Sequence, residues 1–176
     1  MKTICFHCCQ KGTSCCEGTQ ICLTTGDVRR IAQFLDASNF FTFEVPDLSY
    51  TDPGDDPGWI TLTVRPDGCR RVLKRTAGKN CTMLAEKGCL LPMTIRPLIC
   101  RLHPYTYMES DISGVDPICP ISHEGNRPAL LEQLGMAIGQ ARKWHRQLYC
   151  ELNADKTAIS GEEGRGPLPA LEKLSA

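Results

Sequence analysis

Apolar and polar positions follow three rhythms along the chain, and each predicts a different element. Between Thr24 and Asp36 the apolar residues Val28, Ile31 and Leu35 recur at helical spacing, with Phe34 off the stripe. Thr24 or Thr25 supplies the cap, and Asp27 puts a negative charge in the first turn, where the helix dipole favours it. Ser38 then caps a short second helix through Phe40, Phe41 and Phe43, three rings assigned to the core. At residues 59–64, WITLTV, alternation and β-branched side chains predict a strand. Pro66-Asp67-Gly68 turns the chain, and residues 69–75 return as its partner. Residues 81–84 and Cys89, separated by Ala85-Glu86-Lys87-Gly88, predict a further short strand and turn. Pro92 opens a helical turn through Ile95, while Pro97 argues against a long helix there. Residues 105–108 follow as a strand.

The helical rhythm returns over residues 128–152, with Pro128 suited to the first turn. Leu131, Leu134, Ile138, Ala141, His145 and Leu148 share one face, with Leu130, Ala137, Trp144 and Tyr149 beside it. Such a broad stripe is expected to dock on the cysteine-rich half. Beyond Asn153 the chain turns polar and rich in glycine and proline, which predicts a flexible tail over residues 154–176. The expected fold class is α+β: one metal-organised, cysteine-rich domain over residues 1–153. It would carry short β-hairpins, an N-terminal helix pair and a long C-terminal helix.

Charge narrows the partners. Lysine plus arginine equals aspartate plus glutamate at 20 each, so the formal net charge is zero and a nucleic-acid partner is not expected. The basic run from Arg70 to Arg75 reads as a solvated strand or turn face, offset by acidic residues between Asp47 and Asp56. That acidic loop lacks the twelve-residue calcium pattern. No segment has the apolar length of a signal peptide or membrane span, which predicts a cytoplasmic chain with no membrane partner.

Twelve cysteines change the picture most. In a reducing compartment they point to metal ligation or redox chemistry before disulfides. Cys5-x-x-Cys8 has knuckle spacing, in which two thiolates converge on one ion, and Cys15-Cys16 follow closely. Downstream come Cys81, Cys89 and Cys100 at gaps of seven and ten residues, then Cys119. Adjacent side chains point apart on extended backbone. In Cys8-Cys9 and Cys15-Cys16, therefore, one thiol ligates while its neighbour packs, or the pair serves neighbouring ions. Cys22, between Ile21 and Leu23, reads as a buried thiol. Cys69 and Cys150 lack neighbours at ligand spacing. His7 and His103 are close to candidate ligands but read as outer-sphere or surface groups.

The order CxxC, CC, capped helix TTGDVRRI, then a cysteine-rich stretch ending in RPLICRLHP resembles the YkgJ-type cysteine-cluster family, described as zinc- or iron-chelating domain proteins. The resemblance covers about residues 5–123. By position it implies the ligands Cys5, Cys8, Cys15, Cys16, Cys81, Cys89, Cys100 and Cys119, with Cys9 an alternative to Cys8. Arg96 and Arg101, set around Cys100, would offset thiolate charge and orient sulfurs from outside the ligand shell.

The expected function is chelation of zinc or iron for metal handling or as a scaffold. The alternative is an iron or iron–sulfur enzyme that performs redox chemistry or modifies a polypeptide. Zinc is favoured because closed four-thiolate sites suit an ion without geometric preference, and ferredoxin-type cysteine spacing is absent. No hydrolytic triad, P-loop or dinucleotide fingerprint is visible.

Overall fold

The computed structural model describes Cys8, residues 15–47 and 57–117, Cys119 and residues 127–162. The fold is α+β, with helices and three antiparallel strand pairs among the described residues. No helix there is long and apolar enough to cross a membrane.

Helix α1, Thr25–Leu35, begins as its pattern predicts. Thr24 Oγ1 accepts from Asp27 N at 2.9 Å while Asp27 Oδ2 accepts from Thr24 N at 3.2 Å, a reciprocal capping box. Asp36, with φ 49°, ends the helix in the left-handed region. Ile31 is fully buried and off-stripe Phe34 is exposed.

The helix expected after Ser38 is replaced by a strand. Strand β1, Phe41–Glu44, pairs antiparallel with β2, Arg70–Leu73, in the register Phe41↔Leu73 to Glu44↔Arg70. A helix so short makes few bonds of its own, whereas the ladder satisfies both backbones at once. Only Phe40 of the three rings is buried; Phe43 is exposed and lies under the guanidinium groups of Arg65 and Arg71.

On its other side β2 meets the segment before α1. Leu23 N donates to Arg71 O and Leu73 N to Ile21 O, both at 2.9 Å, with Cys22 opposite Val72. Being central, β2 buries Val72, Leu73 and Arg70, so the basic run is not the solvated face expected of it. Arg70 is held by Gln20 Oε1 at 3.1 and 2.6 Å.

Residues 59–64 are also corrected. Helix α2, Pro57–Thr63, occupies them, with Trp59 and Leu62 packed toward a core and Thr63 Oγ1 donating to Trp59 O at 2.8 Å. Residue spacing of three between two large apolar side chains outweighed the β-branched content, whose strand preference depends on context. The partner of the returning strand is therefore β1.

A hairpin of β3, Leu84–Ala85, and β4, Gly88–Cys89, matches the predicted turn, with Gly88 at φ 107°. Beyond Pro97 the chain forms a five-residue helix, α3, Leu98–Leu102, which carries Cys100. Strands β5, Tyr105–Tyr107, and β6, Ile112–Val115, form the last pair.

The long C-terminal helix is two helices. Helix α4, Arg127–Gln133, stops before Gly135, and α5, Ile138–Glu162, follows. Gly135 N donates to Glu132 O and Met136 N to Leu131 O, the paired closing bonds of a Schellman motif around a glycine at φ 74°. The break exposes Ile138, while Leu131, Leu134, Ala141, His145 and Leu148 stay buried. Helix α5 also runs to Glu162, into the stretch expected to be tail.

Two apolar cores result. One gathers Ile21, Leu23, Ile31, Phe40, Leu73, Met83 and Leu91 around Cys16 and Cys81. The other gathers α4 and α5 with Leu98, Leu102 and Tyr105, and encloses Cys8 and Cys119. Helix α3 lies between them: Leu98 and Leu102 belong to the second, and Cys100 packs against the first.

Candidate metal centre

Four of the eight predicted ligand cysteines lie in or against the first core. Cys16 ends the N-terminal turn, and its carbonyl accepts Cys81 N at 2.9 Å. Cys81 leaves β2 through a turn closed by Thr76 and Asn80 and pairs with Arg75. This brings the two thiols into hydrogen-bonding contact. Cys89 arrives on β4 and Cys100 on α3, both half-buried and both packed against the same core.

The electrostatics follow this gathering. The Cys81 thiol is pushed well above its ordinary range by its bond to Cys16, by burial and by the nearby Cys100, although Met83 N donates to its sulfur at 3.4 Å. Burial raises Cys89, and Arg96, which hydrogen-bonds its sulfur, works in the opposite direction. Burial lowers the pKa of His103, which also senses Cys16. Thiols held this way are neutral, so an ion entering among them has to displace protons.

Both predicted arginines are buried nearby. Arg96 Nε donates to Leu91 O at 2.9 Å, and Arg101 Nε donates to Arg96 O at 2.6 Å. Arg101 Nη2 is buried and has no hydrogen-bond partner among the described residues, and burial holds the pKa of this guanidinium below its ordinary value. A buried guanidinium N–H without an acceptor favours negative charge nearby, and thiolates would supply it.

The other predicted ligands are placed differently. Cys8 and Cys119 are buried in the second core, and Cys15 is exposed on the turn. Cys5, Cys9 and His7 lie outside the described residues. Of the cysteines left out, Cys22 is buried with its pKa pushed up to about 11 by burial, as a structural thiol should be; Cys150 is exposed on α5.

Among the described residues, no three histidine, cysteine, aspartate or glutamate side chains already surround a common point at ion-holding distances. Cys16 and Cys81 bond to each other, and the sulfurs of Cys81 and Cys89 accept from the backbone amides of Met83 and Leu91. By donor chemistry, however, four sulfurs from four separate segments, with Arg96 on one of them, fit a thiophilic ion.

Sequence reasoning missed the bond from Leu98 N to Asp27 Oδ1. Asp27 was legible as a first-turn acid, but its second set of partners lies across the fold. Comparisons with protein-family models, with curated proteins and with solved structures found no match.

Proposed function

We propose that the chain is a metal-binding protein that holds zinc, in preference to iron, through Cys16, Cys81, Cys89 and Cys100. The observation that supports this reading is that these four cysteines share one core, with Cys16 and Cys81 in contact, Cys100 near Cys81 and Cys89 in the field of Cys16. Two of the four are half-buried, so their side chains can turn toward an ion without opening the core. A bound zinc would act as a closed cross-link between the N-terminal turn, the Arg75–Cys81 hairpin, β4 and α3. Arg96 and Arg101 would offset the charge of four thiolates. The resemblance to the YkgJ-type family points the same way. The role that fits is metal handling or scaffolding in the cytoplasm.

Elemental analysis and a visible spectrum of protein purified without oxygen test the reading. The expected result is a colourless protein with zinc bound. A brown protein with stoichiometric iron and sulfide would replace it with an iron–sulfur redox enzyme, and metal-free protein that takes up neither would remove it.

A further inference from the structure

The contacts that fix Cys100 lead away from the thiols to an aspartate. Helix α3 is five residues long and opens at Pro97 with no side-chain cap of its own. Its first amide belongs to Leu98, a fully buried residue, where an unmet N–H is costly. Asp27 Oδ1 accepts that amide at 3.1 Å from 71 positions away. The same oxygen accepts from Arg30 Nη2 at 2.7 Å, and Oδ2 accepts from Thr24 N at 3.2 Å. Asp27 is completely buried, so these bonds are its solvation. Arg30 is in turn gripped by both oxygens of Glu151 on α5, at 2.6 and 3.0 Å.

One carboxylate therefore caps two helices, its own and the helix that carries Cys100. The position of α3 matters because it divides the two cores, with Leu98 and Leu102 on one side and Cys100 on the other. A one-residue slip in a helix turns each side chain by about 100°. That would carry the Cys100 sulfur away from Cys81.

We propose that Asp27 is a positioning residue of the thiol site: by capping α3 from across the fold it holds Cys100 where the other thiols meet it. Its effect on metal rests on the reading of those thiols as a metal site. Asparagine cannot replace it, because both oxygens face N–H donors. Either orientation of the amide sets an NH2 group against Thr24 N, or against Leu98 N and Arg30.

The test uses full-length Asp27→Asn, loaded with zinc under reducing conditions and titrated against a chromophoric chelator. Iodoacetamide labelling of Cys100 and Cys22 is followed in the same samples, Cys22 serving as the reporter of global opening. Zinc affinity is expected to fall roughly 10–100-fold, with Cys100 labelled about 10 times faster and Cys22 unchanged. Unchanged affinity in a folded variant, or faster labelling of both cysteines together, would overturn the proposal. Should Asp27→Asn not fold, Glu151→Gln, which loosens Arg30, is read the same way: a rise confined to Cys100 supports the proposal, and a shared or absent rise overturns it. Wild-type protein that binds no zinc would defeat the metal reading alone. Labelling of the metal-free chain then decides separately whether Asp27 holds Cys100.

Discussion

Cys81 and Cys119 are buried to nearly the same depth, at 3% and 4% exposure, yet their surroundings differ in kind. Cys81 touches Cys16, lies near Cys100 and shares its core with Cys89. Cys119 shares its core with Cys8 but otherwise with leucines, Met136, Trp144 and Tyr149. The second core has enough apolar surface from α4 and α5 to stand without an ion, and there a thiol can serve as a small hydrophobe. The first core is assembled from the N-terminal turn, one face of α1, the β1–β2 pair, the β3–β4 hairpin and one side of α3, short pieces with little capacity to persist alone. Among the described residues, Cys81 thus differs from Cys119 in sharing its core with three other cysteines instead of one.

Metal removal should break this comparison open most widely. A structural zinc ion contributes on the order of 10 kcal/mol before costs. Treatment with a chelator under reducing conditions should strip amide-exchange protection from residues 16–23 and 81–91 while residues 141–152 keep theirs. Equal loss in both would show that the cores are one cooperative unit.

Next in size is the contrast of two serine variants. Cys81→Ser should abolish zinc binding at the four-thiol site, whereas Cys119→Ser should leave that ion in place. Elemental analysis decides, and loss of the same ion from both variants would mean that the two thiol groups share one site.

The junction between the cores offers a smaller effect with an unusual sign. Gly26 sits in the first turn of α1, where alanine ordinarily gains up to about 1 kcal/mol over glycine. Here a Cβ would fall 2.2 Å from Glu151 Oε2, the carboxylate that grips Arg30. Gly26→Ala should therefore lose about 1–3 kcal/mol in urea denaturation, and a gain would mean that Glu151 moves freely aside.

The same junction should leave a pH signature. Although burial opposes it, Arg30 with Thr24 and Gln147 holds the Glu151 carboxyl below its ordinary value of 4.5. Its contribution is complete above that value and declines as pH falls through the lowered one. Burial raises Asp27 despite Arg30, so Asp27 does not add to that acid-side decline. Glu151→Gln should flatten the acid-side decline in urea midpoint. An undiminished decline would assign it to other carboxylates.

Last come the cysteines outside the site. Cys22→Ser should cost about 1–3 kcal/mol, because a hydroxyl is buried where a thiol packed, yet retain zinc. Cys150→Ser, on the exposed face of α5, should stay within about 0.5 kcal/mol. Zinc loss in either would redraw the site.

Local features were the ones legible in advance. The helix cap at Thr24, the first-turn Asp27, the turn before Cys89 and the buried Cys22 all follow from neighbours within a few residues. The strand at Phe41–Glu44 and the helix at Pro57–Thr63 were misread because both segments are short and their patterns fit either state. β2 chose the first and α5 the second by supplying partners far along the chain. Gly135 left a signal in Leu134-Gly135-Met136, but a continuous apolar stripe on either side concealed it.

The amino-acid order by itself determined how many thiols the protein has, which are adjacent, and which sit in apolar runs. Tertiary structure alone decided that Cys16 and Cys81, 65 positions apart, share a hydrogen bond, and that Asp27 caps the helix of Cys100. Burial is the physical reason. A buried amide, carboxylate or thiol must find its partner inside the protein, and that partner is set by how elements pack.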